Sequence, residues 1–344
     1  MRHPSLIRAA ALALSTLLLG SACGSRSSSV RVTSIGTGGP DTPLIPRAIG
    51  FFDTRHGVLA KIEDCSASYC PGALFVSDDS GRSWKRTLVV HGQVDITESP
   101  VDIDAVRGSS LVWVTTASAL LRSDDRGRSW WRALRVHAVA VSFSDPEHGW
   151  LLLANGTFAR PPAILSSDDG GQSWHKLTSP CQGGFGIPAA ISRASASLGW
   201  VACMTQMTAG FEGKQVWQTS DGGHTWRLRS RTELFVPRPA PPIGNLPGRG
   251  YVSGMQFLPD GRGWLWEDRG WLLTTSDGGR LWRKSPLTSA DEVEARSASL
   301  LGDRTGFILL GVDPACHNRL VLSADGARRA TTLKRWPSTF EMCS

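Results

Sequence analysis

Ser77–Trp84 reads SDDSGRSW, and four later stretches repeat it: Ser123–Trp130 (SDDRGRSW), Ser167–Trp174 (SDDGGQSW), Thr219–Trp226 (TSDGGHTW) and Thr275–Trp282 (TSDGGRLW). A sixth copy from Ser323 (SADGARRA) keeps Asp325 but loses the second glycine and the tryptophan. The tryptophans at 84, 130, 174, 226 and 282 are separated by 46, 44, 52 and 56 residues, a period that suits one four-stranded propeller blade each. The chemistry of the repeat is that of a tight turn between two strands. The carboxylates of Asp79, Asp125, Asp169, Asp221 and Asp277 accept backbone N–H groups, glycine supplies a positive φ, and Trp84, Trp130, Trp174, Trp226 and Trp282 then pack between blades. Five equivalent copies make these aspartates architectural rather than catalytic or metal-binding.

Outward from each turn the other strands fall into place. An apolar run precedes it (Ala73–Val76, Ala119–Leu121, Ala163–Leu165, Gln215–Trp217, Trp271–Leu273, Leu320–Leu322), and a second strand upstream opens with glycine in most units, as at Gly57–Val58 or Gly149–Trp150. The expectation is an all-β protein: a propeller of six four-stranded blades, seven being the alternative count, filling one domain over 46–344.

The first 22 residues read as a signal peptide, with Arg2 and Arg8 ahead of the apolar run Ala9–Leu19 and small residues before Cys23. Cleavage there resembles bacterial lipoprotein maturation, although Gly20 stands where leucine is usual; plain secretion with cleavage after Ala22 is the alternative. Cysteine parity favours lipidation at Cys23, because setting it aside leaves six of the seven cysteines to pair. Residues 23–45 then form a flexible linker, although Val30–Ser34 has the option of adding a strand to the last blade. The net charge of +7 falls to +5 without Arg2 and Arg8, and no Lys/Arg run marks a nucleic-acid partner. Lys85, Arg86, Arg132, Lys176, Arg227, Arg283 and Lys284 follow the tryptophans, where charge protects an outer strand's free edge.

Together the repeats resemble the bacterial neuraminidase repeat (Asp-box) propellers, which include the photosystem II stability and assembly factor type and the sialidases. The resemblance covers nearly the whole mature chain. It implies a membrane-tethered, non-catalytic module that binds a protein partner at or near the membrane surface; the signal peptide adds export to the outer face of a bacterial membrane, no His, Cys or carboxylate cluster has metal-ligand spacing, and a monomer without cofactor or metal is expected. The alternative it carries is a sialidase-like propeller that binds or hydrolyses a glycan. That chemistry needs a tyrosine nucleophile and an arginine clamp. Of the two tyrosines, Tyr69 lies in a loop between cysteines and Tyr251 is the better candidate; the family's Arg-Ile-Pro motif is absent, Ile45-Pro46-Arg47 standing in reversed order.

Alternating strand direction sends the blade linkers and the loops between second and third strands to one face, opposite the aspartate turns. That loop-rich face carries Lys61–Gly72, Ala154–Pro162, Cys203–Lys214 and the Pro-rich linker Phe235–Tyr251, so it is where a ligand is expected. The candidates are Arg47, Phe235, Arg238, Arg249, Tyr251 and Arg296. Expected disulfides are Cys65–Cys70, Cys181–Cys203 and Cys316–Cys343, among about fifteen connectivities that six cysteines allow. His56 and His148 occupy matching turns (Asp53-Thr-Arg-His56, Asp145-Pro-Glu-His148), which reads as turn architecture.

Overall fold

The computed structural model describes residues 30–31, 44–63, 72–90, 101–116, 118–154, 162–181, 186–232, 234, 243–289, 293–302 and 304–338, and every regular element among them is a β-strand. The strands form six consecutive antiparallel sheets: blade 1 over residues 44–90, blade 2 over 103–134, blade 3 over 138–176, blade 4 over 187–232, blade 5 over 251–284 and blade 6 over 295–337. Within each sheet the four blade strands lie in chain order from the centre outwards, and blade 2 carries Val30–Arg31 as a fifth strand at its outer edge. Successive innermost strands pack side by side around an axis, and Ala295–Leu300 of blade 6 returns to Leu44–Phe51 of blade 1. The fold is a six-bladed β-propeller, and blade 1 opens with the strand Leu44–Phe51.

Among the described residues no strand is shared across the closure between blades 6 and 1. Side chains hold it instead: Ser297 and Ser299 hydroxyls accept the Ile49 and Phe51 N–H groups at 3.1 and 2.9 Å, and Phe307 stacks on Phe51 with ring centroids 3.5 Å apart. Three of the other junctions also pack a ring of one blade's second strand on the next blade's inner strand. Trp113 of blade 2 stacks on Phe143 of blade 3 at 4.6 Å, Trp200 of blade 4 on Phe257 of blade 5 at 4.2 Å, and Trp150 of blade 3 meets the Arg193 guanidinium of blade 4 at 5.8 Å. Glycine opening the second strand makes room for these rings, since a Cβ at Gly149 would lie 2.3 Å from the Phe143 ring.

The tryptophans of the repeat sit where the sequence puts them. Trp130 and Trp282 are buried, and their indole N–H groups reach the preceding blade's outer strand at Thr87 (3.3 Å) and Ser230 (3.1 Å); that of Trp226 reaches the Thr178 carbonyl (3.0 Å). The aspartate turns share their closing backbone bonds, and in four of them a Ser or Thr hydroxyl also donates to the aspartate. Asp79 accepts the Ser83 N–H (2.9 Å) and hydroxyl (2.6 Å), while Ser77 Oγ accepts the Gly81 N–H (2.8 Å). Partial burial raises the Asp79 pKa, but these bonds outweigh it and leave it at about 2. The degenerate sixth copy folds identically: Ala327 takes glycine's place at φ 64°, and its N–H reaches Ser323 Oγ at 3.0 Å.

Two expectations are corrected. Val30–Arg31 does pair as a strand, but on Trp131–Arg132 at the outer edge of blade 2, not on the last blade. Cys203–Lys214 is not a loop: Gly199–Thr208 and Phe211–Thr219 form a long hairpin around Ala209–Gly210, with Gly210 at φ 78°. Cys181–Cys203 is bonded, with Cα atoms 5.5 Å apart, and ties the linker before blade 4 to that blade's second strand. Cys316 is also disulfide-bonded; Cys343, Cys65, Cys70 and Cys23 lie outside the described residues.

Candidate binding site at the channel mouth

The innermost strands present a free backbone edge to the central channel, and a buried edge N–H needs an acceptor. Five of the six junctions supply one from the preceding blade. Ser142 Oγ accepts from Arg193 N (2.9 Å), Ser192 Oγ from Phe257 N (2.8 Å), Gln256 Oε1 from Leu300 N (2.6 Å) and Ser299 Oγ from Phe51 N (2.9 Å), while Asp104 takes the Phe143 N–H. At the sixth junction the equivalent residue is Gly50, where any Cβ would stand 2.7 Å from the Ile103 side chain. Asp102, two residues before Asp104 on the same face of the strand, accepts from Val141 N at 3.0 Å.

The cost of placing two carboxyls in this wall shows in their titration. Burial drives Asp102 up to about 6 against the hydrogen bonds that oppose it, and burial with the nearby Asp102 charge drives Asp104 to about 7. Both line the channel cavity, along with Trp266, whose indole occupies the space that a Cβ at Gly254 would take.

Above them, at the loop-rich end, five inner strands carry a β-bulge at one equivalent position, occupied by Arg47, Val139, Ala189, Ser253 and Arg296. An extra residue re-aims the side chain at a sheet edge. Val101 precedes the shorter strand of blade 2 and lines the same mouth. The rim is therefore asymmetric, with arginines on adjacent blades 6 and 1 and small or apolar residues on blades 2 to 5. Arg47 is exposed; Arg296 is largely buried, its Nε 3.5 Å from Glu294 Oε1. Burial and a hydrogen bond to the Asp268 carboxyl push the Glu294 pKa up, against the Arg296 charge that lowers it.

The remaining candidates divide. The Tyr251 hydroxyl donates to the Thr208 carbonyl (2.6 Å) and accepts the Gly210 N–H (2.7 Å), so the phenol fastens the blade 4 hairpin. The Arg249 carbonyl accepts from Lys214 Nζ at 2.9 Å, and its backbone bridges to Phe211. Phe235 and Arg238 lie outside the described residues. Among the linker's described residues, from 243 on, Leu246 is buried and Asn245 exchanges two hydrogen bonds with the Trp282 backbone (2.6 and 2.9 Å). Sequence reasoning missed the buried network beside it: Lys214 is paired with Glu267 and bonded to the Pro247 carbonyl (3.1 Å), while Glu212 accepts Val252 N (2.8 Å). Burial raises the Glu212 pKa to about 7. On the opposite face Asp145, Glu147 and His148 bring possible ligand atoms within 4.8 Å of one another, but Asp145 is already bonded to the Glu147 N–H (2.9 Å) and to His148 Nδ1 (2.8 Å). Blade 1 repeats the bond between Asp53 and His56 with Arg55 in the glutamate's place, which marks the arrangement as a turn.

No protein-family model and no characterised protein sequence matches the chain. Among solved structures it is similar to YCF48 bound to D1 peptide (19% identity, 85% of this chain and 83% of that one, TM-score 0.47). It is also similar to the GH74 xyloglucanase of Xanthomonas campestris (16%, 83% and 45%, TM-score 0.49) and the α-L-arabinanase of Penicillium chrysogenum (13%, 85% and 94%, TM-score 0.51). At these identities the likeness is one of fold.

Proposed function

We propose that the chain is an exported, membrane-tethered, non-catalytic binding module that takes an acidic segment of a protein partner at the channel mouth. The carrying observation is the pair of arginines at equivalent bulges of neighbouring blades, Arg47 and Arg296, where blades 2 to 5 carry the uncharged Val101, Val139, Ala189 and Ser253. Guanidinium groups suit planar carboxylates, and the uncharged remainder of the rim favours a chain segment over a free ion. A rigid ring with elaborated loops on one face pre-organises such a site. Lipidation at Cys23 would hold it at the membrane surface.

Titrating the full chain with an extended peptide of alternating glutamate and valine tests this. Binding should prefer that peptide to its lysine counterpart and weaken about tenfold or more in Arg47→Glu/Arg296→Glu, by loss of charge-assisted bonds. Equal binding of both peptides would overturn it. The raised carboxyls of Asp102 and Asp104 in a channel wall favour a second reading, a glycan-hydrolysing site. Each is already spent on a backbone N–H of blade 3, which ranks that reading lower. Turnover of a fluorogenic sialoside that is lost in Tyr251→Phe would reverse the order.

A further inference from the structure

Among the described residues one blade carries a strand beyond its own four. Val30–Arg31 pairs antiparallel with Trp131–Leu134, the outer strand of blade 2, with Val30 opposite Arg132 and Arg31 opposite Trp131. The choice of blade follows from how the other outer edges are protected. Those of blades 3 and 5, His175–Lys176 and Arg283–Lys284, are two residues long and exposed, and that of blade 1 opens with Lys85 and Arg86. On blade 4 the linker bridges the edge, Arg231 and Ile243 exchanging backbone bonds at 2.7 and 3.3 Å, and the edge of blade 6 carries Lys334 and Arg335 and ends at Pro337. Trp131–Leu134 has a single cation among apolar residues, and a four-residue edge of that composition invites pairing unless it is covered.

Trp131–Leu134 leaves the aspartate turn of blade 2 and runs towards the loop-rich face. Val30–Arg31 runs against it, so the chain preceding Val30 joins this edge from the mouth side. Val30 is seven residues past Cys23, a span of at most about 25 Å. Measured to Leu44, where the innermost strand of blade 1 begins, the same tether extends to about 70–75 Å. The pairing thus shortens the reach of Cys23 about threefold and moves its attachment from the centre of the ring to one point on its rim.

We infer that Val30–Arg31 is a clip that fastens the membrane tether to blade 2, so that the mouth-side flank of this blade faces the lipid bilayer and blade 5, across the ring, faces away. A long tether at the centre would leave every flank equally free to turn to the membrane; a short one on the rim selects one. The inference rests on lipidation at Cys23 and uses neither of the arginines at the bulges.

The test is energy transfer from the lipidated full chain to a headgroup-labelled acceptor lipid in vesicles of phosphatidylcholine, a neutral surface that does not orient the ring by charge. A donor dye is attached through an azido amino acid at position 135, just past the outer strand of blade 2, or at position 286, the matching place on blade 5; both positions are exposed. Transfer should be about threefold or more as efficient from 135 as from 286, as a tether of about 25 Å on one flank requires. Val30→Pro/Arg31→Pro, which removes the backbone donors of the clip, should bring the two positions within about 1.5-fold with an unchanged melting temperature. Should that variant misfold, the wild-type contrast still decides. Equal transfer from 135 and 286, or a contrast that survives in the proline variant, would overturn the inference. Mass spectrometry of the N-terminal peptide separates this failure from that of the anchor: a Cys23 without lipid sinks both, whereas a lipidated chain with equal transfer sinks the orientation alone.

Discussion

Replacing Lys214 with methionine removes the one cation from a buried group of three charges. Its ammonium is paired with Glu267 and donates to the Pro247 and Arg249 carbonyls at 3.1 and 2.9 Å, while both glutamates are almost wholly enclosed. Without it Glu267 is left uncompensated, keeping only the Trp271 N–H at 3.1 Å, and two linker carbonyls lose their donor. Breaking one side of a buried pair costs about 3–5 kcal/mol. At about 2–4 °C per kcal/mol, melting should fall by roughly 10 °C. Lys214→Met/Glu267→Gln should recover most of the loss, short of about 1–3 kcal/mol for the carbonyls still unpaired. Urea and thermal unfolding of the three proteins give the comparison. A single variant costing under about 1 kcal/mol, or a double variant worse than the single, would refute the claim that this pair holds the linker to blade 4.

The pH dependence has two limbs of opposite sign. Asp102, Asp104 and Glu212 have folded pKa values of about 6, 7 and 7, raised above 3.8, 3.8 and 4.5, so the folded state holds extra protons between about pH 4 and 7 and stability falls as pH rises through that window. Asp79, at about 2, is lowered, so its contribution is full above about pH 4 and is lost as pH falls towards 2. Melting should therefore peak near about pH 4, and Asp104→Asn should flatten the limb between about pH 4 and 7; a curve still rising from about pH 5 to 8 would contradict this. Asp169→Ala, which frees the Ser173 N–H (2.9 Å) and hydroxyl (2.6 Å), should cost about 1–2 kcal/mol in urea unfolding. Cys181→Ser/Cys203→Ser should lower stability by about 2–4 kcal/mol, and an unchanged urea midpoint would show the bridge to be idle.

What the sequence discloses follows from range. The aspartate turns are local, so five copies of one spacing reveal the blades, and the sixth stays readable because Ser323 and Asp325 keep the two side chains that close the turn. The blade 4 hairpin is misread as a loop because Thr205, Gln206, Glu212 and Lys214 break the apolar alternation; Glu212 and Lys214 are inside because of charge pairing and backbone bonds to distant residues. Docking of Val30–Arg31 on blade 2 is a pairing across 100 residues that no local pattern encodes. The bulges at Arg47 and Arg296 are likewise silent, because one extra residue in a strand changes which way a side chain faces without leaving a distinct motif. Arg47 and Arg296 were nevertheless legible as candidates, since the blade period places both near the start of an inner strand.

If the proposed function holds, recognition belongs to the end of the ring that carries Arg47 and not to the end that carries the aspartate turns. Photo-crosslinking from intact cells, with a benzophenone amino acid placed either at position 47 or at position 221, measures that directly. Discrete adducts from position 47 and none from 221 are the predicted result; adducts confined to position 221 would contradict it.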